Sequence, residues 1–372
     1  MNKKIFSLNK IKFLSNSKKK FINIDKDTFF NLVNLCTGLY KPLRNFCNYS
    51  EFKLITKKNE LKSGQKWTMP ILLSVKNKIQ LKRNEFYIIK YKEKIVGCVK
   101  FFEYFQINKK QFSRDVFHTN SYKHPGVKKI YSNKNYFIDG ECFLLDKAIP
   151  RNKYFLKTLK LLSGHNKNIL KSSVGFSTRN ICHRGHEFIQ DHLNKNFKNL
   201  FVIVIQSSAN KYNPGLIFKS YEYLNKFKSR KNEIKIITIY LPLFFAGPRE
   251  AFFQSKIISN IGIKRLLVGR DHAGVKNFYG KYDSQNIFSK LKGHNQKIVK
   301  VKEPLLCLKC HSIKFKDKNN LCKICKSKTK FVGINGVNVR KSLLRNNKSI
   351  IRLFLNNNLI NFFNKNRGLI YK

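Results

Sequence analysis

The segment Gly175-Phe-Ser-Thr-Arg-Asn-Ile-Cys-His-Arg-Gly-His-Glu187 gathers hydroxyl, guanidinium and amide groups and two imidazoles within a short run. Its spacing predicts a strand over Ser173–Ser177, a loop holding Thr178, Arg179 and Asn180, and a helix from His183 onward. That arrangement puts polar side chains at the carboxyl end of a strand and beside a helix N-terminus, where exposed backbone N–H groups favour anions. His183 and His186 lie three residues apart and share one face of the first helical turn. Gly185 between them would leave room for a flat base to approach the backbone. Both imidazoles could then donate to phosphate oxygens as charge builds in a transition state. Two histidines at a helix start also occur as surface caps, but the Thr-Arg-Asn triplet just upstream argues for a site. A metal on this pair is disfavoured, since no carboxylate or third histidine stands at metalloprotease spacing.

Two further segments follow in order. Val268-Gly-Arg-Asp-His-Ala-Gly274 succeeds another short apolar run and adds Arg270, Asp271 and His272. Phe245-Ala-Gly-Pro-Arg-Glu-Ala251 carries Pro248 where it suits a helix's first turn, while Arg249 and Glu250 read equally well as exposed charges. Farther on, Cys307-Leu-Lys-Cys310 and Cys322-Lys-Ile-Cys325 form two Cys-x-x-Cys knuckles. Four soft thiolates at this spacing predict one tetrahedral structural Zn²⁺ with no open coordination position, whereas a redox dithiol needs a single pair.

The elements that must hold these groups change character along the chain. Up to about residue 145, short strands separated by turn signals predominate (Met69–Val75, Glu85–Tyr91, Lys94–Phe102), with a helix near Asp27–Thr37. From about residue 150 strands and helices alternate. Asn199–Gln206 and Ile234–Leu243 are apolar strands of the kind buried on both faces, Arg249–Asn260 is a helix, and Arg265–Gly269 is a short strand. This rhythm predicts a parallel, doubly wound sheet. A helical stretch, Val339–Phe363, closes the chain.

Composition narrows the class. The 372 residues suggest two or three domains, and 42% hydrophobic content supplies a core. No apolar run is long enough to span a bilayer, and Met1–Phe21 lacks the apolar stretch of a secretory signal, so a cytoplasmic protein without a membrane partner is expected. Nine cysteines, five of them scattered, argue against a disulfide framework. The formal charge of +56 suggests a polyanion partner, but lysine is spread over nearly every segment together with abundant Asn, Ile, Phe and Tyr. A sequence-wide bias explains that better than a nucleic-acid-binding surface.

Thr-Arg-Asn-x-x-His-Arg-x-His-Glu, then Ala-Gly-Pro-Arg-Glu-Ala, then Gly-Arg-Asp-His-Ala-Gly closely resembles the signature set of the ATP sulfurylase (sulfate adenylyltransferase) family. Trp67-Thr-Met-Pro70, His124-Pro-Gly-Val127 and Asn335-Gly-Val-Asn-Val-Arg340 extend the resemblance over almost the whole chain. It implies an α/β protein: a PUA-like β-rich N-terminal domain (1–147), a Rossmann-like nucleotidyl-transferase domain (148–299) and a small C-terminal domain with the zinc knuckle (300–372). It implies that Thr178, Arg179, Asn180, His183 and His186 are catalytic, with Arg179 on sulfate and Asn180 on the α-phosphate. Ser177, Gly269, Arg270, Asp271 and His272 would contact ATP, and Ala273 would lie against sulfate. The partners implied are ATP with its Mg²⁺, sulfate, adenosine 5'-phosphosulfate and pyrophosphate, in a chain of a commonly homo-oligomeric family. A chain ending soon after residue 370 is expected to lack the adenylylsulfate-kinase-like domain of some relatives. Departures are Ser177 for a Gln, Ile181 for a Pro and Gln254 for a His. The chemistry agrees: sulfate is ionised at neutral pH and needs no general base, so positioning and charge neutralisation suffice. The alternatives are an adenylyltransferase for another acceptor and, from a different class, a zinc-ribbon nucleic-acid-binding protein or a decayed homologue.

Overall fold

The structure, a computed structural model, describes residues 3–15, 20–132, 135–164, 167–227, 234–270, 272–275, 277–316, 321–328, 330–334, 336–344 and 348–366. The chain forms two compact units, each discontinuous in sequence. Residues 1–165, 240–262 and 271–296 make the first; 166–239, 263–270 and 297–372 make the second.

The first unit begins with β1 (Ile5–Phe6), α1 (Leu8–Leu14), β2 (Phe21–Asn23), α2 (Lys26–Thr37), α3 (Tyr49–Lys58), β3 (Leu73–Val75), β4 (Phe86–Tyr91) and β5 (Lys94–Phe105). It continues with α4 (Lys109–Phe117), α5 (Pro125–Ser132), β6 (Tyr136–Leu145) and α6 (Lys153–Leu162). The chain then enters the second unit with α7 (Lys167–Lys171), β7 (Ser173–Thr178), α8 (Arg184–Asn196), β8 (Asn199–Gln206), α9 (Pro214–Phe227) and β9 (Lys235–Tyr240). It returns to the first for α10 (Pro248–Asn260), crosses back for β10 (Arg265–Val268), and returns again for α11 (Asp283–Lys290). The second unit closes with β11 (Lys297–Lys300), β12 (Pro304–Cys307), β13 (Ile313–Phe315), β14 (Phe331–Gly333), α12 (Gly336–Leu344), α13 (Lys348–Phe354) and α14 (Asn357–Lys365).

In the first unit β4, β5 and β6 form an antiparallel meander. β1 and β2 add in parallel at its two edges, and β3 pairs with the start of β6. Gly97 is required where β5 meets β6, because a Cβ there would stand 2.1 Å from the Phe143 carbonyl oxygen. The expected strand Met69–Val75 survives only as β3. Pro70 offers no N–H, and the extended chain before β3 bonds to the segment at Cys47 instead of joining the sheet, Cys47 N–H donating to the Ile71 carbonyl at 2.7 Å. Trp67, Tyr40 and Phe253 form a fully buried edge-on aromatic cluster with centroids 5.2–5.9 Å apart, which ties α10 into this core.

The second unit carries the five-stranded sheet β11-β10-β7-β8-β9, in which β11, β10, β7 and β8 run parallel. β7 and β8 are almost entirely buried, as their apolar sequences require. The first strand in chain order, β7, therefore sits in the middle, with β8 and β9 built outward on one side and β10 and β11 on the other. This is the doubly wound order expected, and its switch point falls between β7 and β10. The expected C-terminal helical stretch holds α12, α13 and α14. Asn356 breaks it by capping α14, its side chain accepting from Leu359 N–H at 2.9 Å. No helix of the described residues is long and apolar enough to cross a membrane.

Candidate active site

The loop after β7 and the loop after β10 emerge side by side, because the two strands are hydrogen-bonded neighbours running parallel (Arg265 opposite Val174, Leu266 opposite Gly175). Ser177, Thr178, Arg179, Asn180, His183 and His186 thus share one sheet edge with Gly269 and Arg270. His272 and Ala273 belong to the first unit and are described within it; Asp271 lies outside the described residues.

Thr178 turns the chain: its hydroxyl accepts from Asn180 N–H at 3.1 Å. His183 is the N-cap of α8, its Nδ1 accepting from His186 N–H at 3.3 Å. With Nδ1 an acceptor, the neutral ring's hydrogen is on Nε2. That atom is buried and has no protein partner among the described residues, and the same holds for Ser177 Oγ. A buried donor left without a partner costs stability, and an anionic ligand would satisfy it. The His183 and His186 rings are stacked, with centroids 3.7 Å apart and planes 26° from parallel. Burial pushes His183 down to about 3. Burial together with the His183 ring holds His186 well below its ordinary value. Both imidazoles are therefore neutral at neutral pH, and the His183 N–H is the one left without a protein acceptor among the described residues.

Residues missed by sequence reasoning hold this edge in place. Tyr221 on α9 is fully buried, and its hydroxyl lies 3.0 Å from His186 Nδ1. Its neighbour Ser220 accepts from Cys182 N–H at 3.1 Å and donates to the Ile217 carbonyl at 2.7 Å. Arg184 donates through Nη1 to the Leu353 carbonyl at 3.3 Å and through Nη2 to the His311 carbonyl, tying α8 to α13 and to the cysteine ribbon. Asn356 Nδ2 donates to Glu187 Oε2 at 2.9 Å. Gly336 meets the site directly: a Cβ there would stand 2.7 Å from Asn180 Nδ2. The space expected beside Gly185 is taken by Ile334, whose Cβ would lie 3.1 Å from an added methyl. Nothing in the local pattern around Tyr221 signals these contacts. They join segments more than thirty residues apart.

Arg179 is half-buried, with no hydrogen bond or ion pair among the described residues. Arg270 instead pairs with Glu303 at 3.3 Å. Arg249 and Glu250 are neither exposed nor part of this edge. Both are buried in the first unit. Arg249 donates to the carbonyls of Thr68 (3.1 Å), Thr56 (3.1 Å), Asp115 (2.8 Å) and Ile55 (2.6 Å). Burial lowers its guanidinium to about 10, so it remains charged at neutral pH.

Cys307, Cys310, Cys322 and Cys325 converge as expected, their sulfurs all within 4.8 Å of one another. The Cys307–Cys325 and Cys310–Cys322 separations are 3.8 and 3.6 Å. A tetrahedron with metal–sulfur bonds of about 2.3 Å has edges of about 3.8 Å, so the four fit a metal ion. Ser312 stands 3.0 Å from Cys310 and Ser327 2.9 Å from Cys325, as outer-shell hydroxyls do.

A family model described as ATP-sulfurylase matches residues 153–365, and one described as PUA-like domain matches residues 7–147. A curated sulfate adenylyltransferase of Pyrococcus abyssi is 29% identical over 331 residues, covering 88% of this chain and 86% of that protein. One of Carboxydothermus hydrogenoformans is 31% identical over 301 residues, covering 78% of each. The fold is also similar to a solved structure described as a hexameric APS kinase from Thiobacillus denitrificans (TM-score 0.64, 12% identity). That match covers 91% of this chain, which spans 62% of that structure's length.

Proposed function

Because the chain belongs to the ATP-sulfurylase family, we propose that it is a sulfate adenylyltransferase, joining sulfate to the AMP moiety of ATP with release of pyrophosphate. The observation carrying this reading is the set of unpartnered groups at the switch point: Arg179, Ser177 Oγ and His183 Nε2, beside the loop after β10. A sulfate oxygen attacks the α-phosphorus, the bond to the bridging oxygen of pyrophosphate breaks, and adenosine 5'-phosphosulfate remains. No proton moves, which suits an edge with donors and no general base.

In this reading Arg179 orients sulfate, Asn180 meets the α-phosphate, and His183 and His186 donate to oxygens whose charge grows in the transition state. Thr178 shapes the loop, while Ser177, Gly269, Arg270, Asp271, His272 and Ala273 line the nucleotide and sulfate. Mg²⁺ arriving with ATP supplies charge neutralisation along the phosphates. For the ribbon the metal proposed is Zn²⁺, closed by four thiolates and structural in role. The functional division follows the chain as an N-terminal domain to residue 147, a catalytic domain over 148–299 and a C-terminal domain from 300. Five buried cysteines outside the ribbon, all free thiols, support a reducing, cytoplasmic setting.

The test is sulfate-dependent exchange of labelled pyrophosphate into ATP. Wild type is expected to exchange, and Arg179→Ala or His186→Ala to lose roughly 10²–10³-fold while staying folded. Near-normal exchange in either variant, or exchange that depends on another acceptor, would overturn the assignment.

A further inference from the structure

A third loop reaches the carboxyl edge of the second unit's sheet. β11 runs parallel beside β10, with Lys300 opposite Val268, so the chain leaving β11 emerges next to the loop after β10. Glu303 lies on that exit, just past the end of β11, and Arg270 lies just past the end of β10. Glu303 Oε2 stands 3.3 Å from Arg270 Nη1, with both side chains partly buried.

Glu303 is itself held from behind by the cysteine ribbon. Its backbone carbonyl accepts from Lys316 N–H at 2.8 Å, and the next residue, Pro304, opens β12 opposite Phe315 of β13. Its carboxylate lies against β14: a Cβ on Gly333 would stand 2.7 Å from Oε1. One oxygen thus rests on the ribbon backbone while the other is turned to Arg270. A single contact between partly exposed groups contributes little to stability, so the pair is a poor fold-builder. Arg249, with four buried carbonyls as acceptors, shows what an arginine built into this fold looks like. A carboxylate at an edge that otherwise offers donors also repels anions, so its effect on binding must come through the guanidinium. The guanidinium is a rigid planar fork of five N–H donors, and a partner on one nitrogen fixes its plane while leaving the others to a ligand. A long side chain oriented in advance loses less freedom when the ligand arrives.

We propose that Glu303 is a positioning residue, which holds the Arg270 guanidinium at the sheet edge for the phosphates of a nucleotide. Glu303 does not touch the ligand; it acts through Arg270, and Gly333 gives its carboxylate the space to do so. The proposal rests on the reading of Arg270 as a nucleotide-binding residue, and it adds that the ribbon sheet, through Glu303, sets where that arginine stands.

Calorimetric titration of the intact chain with Mg²⁺ and ATP tests this without any assay of activity. Glu303→Ala is expected to weaken ATP binding about tenfold, whereas Glu303→Gln, which keeps the length and an acceptor oxygen, weakens it by no more than about threefold. Gly333→Ala, whose methyl displaces Oε1, is expected to weaken binding in the same direction as Glu303→Ala and by less. In an Arg270→Met background, itself weaker than wild type, adding Glu303→Ala is expected to cause no further loss, because the coupling it breaks is already gone. Unchanged affinity in Glu303→Ala would overturn the proposal, and tighter binding would make the carboxylate a competitor of the ligand. The same loss with and without Arg270 would reduce Glu303 to a structural residue. Wild type that binds no ATP would remove the proposal together with the role of Arg270. Wild type that binds ATP, with Glu303→Ala weakened, but shows no sulfate-dependent exchange would strike the enzymatic reading and leave the positioning role standing.

Discussion

Two sets of motifs, equally distinctive as strings, behave in opposite ways. In the first unit Trp67-Thr-Met-Pro70, His124-Pro-Gly-Val127 and Ala246-Gly-Pro-Arg-Glu-Ala251 bond with one another. Thr68 Oγ1 donates to the Arg249 carbonyl at 2.6 Å while Arg249 Nε donates back to the Thr68 carbonyl. His124 caps the Gly126 and Val127 N–H groups through Nδ1, and its Nε2 meets Tyr279, whose hydroxyl donates to the Phe245 carbonyl. Gly247 has a left-handed φ of +51°, and a Cβ there would stand 2.5 Å from the Tyr279 ring. In the second unit the Thr178–His186 segment keeps donors in hand: His183 Nε2 is buried and unpartnered, and Arg179 has no partner among the described residues. An arginine inside a signature motif is thus a fold-builder when its hydrogens are all committed to carbonyls and a ligand group when they are not. Partner accounting separates the two; the motif alone does not.

The contrast is sharpest between the two arginines. Arg249→Met removes a guanidinium from four buried carbonyls and is expected to destabilise the first unit by about 3–5 kcal/mol, visible in denaturant unfolding. Arg179→Ala is expected to leave that unfolding curve within about 0.5 kcal/mol of wild type. If Arg249→Met unfolded normally but lost exchange, the two residues would have to trade roles.

Stripping metal from the cysteine ribbon comes next. Arg184 joins the His311 carbonyl to the first turn of α8, so loosening the ribbon should reach His183. A chelator is expected to lower Tm by roughly 5–10 °C and to reduce exchange in step. Unchanged exchange in the metal-free protein would show the ribbon and the site to be independent. A smaller effect, about tenfold in exchange with little change in Tm, is expected for Tyr221→Phe, which removes the hydroxyl set against His186 Nδ1.

The last is a stability trend with pH. His183 is held near 3 and His186 well below its ordinary value, so the unfolded chain binds protons that the folded one refuses. Stability is therefore full above about 6.5, the unfolded value, and falls as pH is lowered from there toward 3. Unfolding curves of wild type and His183→Asn should converge at low pH. Parallel curves would mean that the ring is charged in the fold.

The strands of the second unit and helix α10 of the first were legible because period and punctuation are local: Asn199–Gln206 needs only its own apolar run, and α10 starts at the proline the pattern marks. The clustering of the four cysteines was legible for the same reason. The interleaving of the units was not, since no local signal says that α10 and α11 leave the sheet whose strands they connect. Arg249 and Glu250 could not be told from exposed charges, because burial depends on carbonyls of residues 55, 56, 68 and 115, far away in sequence. Tyr221 and Gly336 matter through contacts with His186 and Asn180 that only the folded chain creates.

The central claim is that the carboxyl edge at the β7–β10 switch point is the nucleotide and sulfate site. A crystal structure with adenosine 5'-phosphosulfate bound tests it most directly. The ligand is expected across the ends of β7 and β10, its sulfate on Arg179 and its phosphate accepting from His183 Nε2. Density for the ligand elsewhere, with His183 Nε2 still unpartnered, would contradict the account.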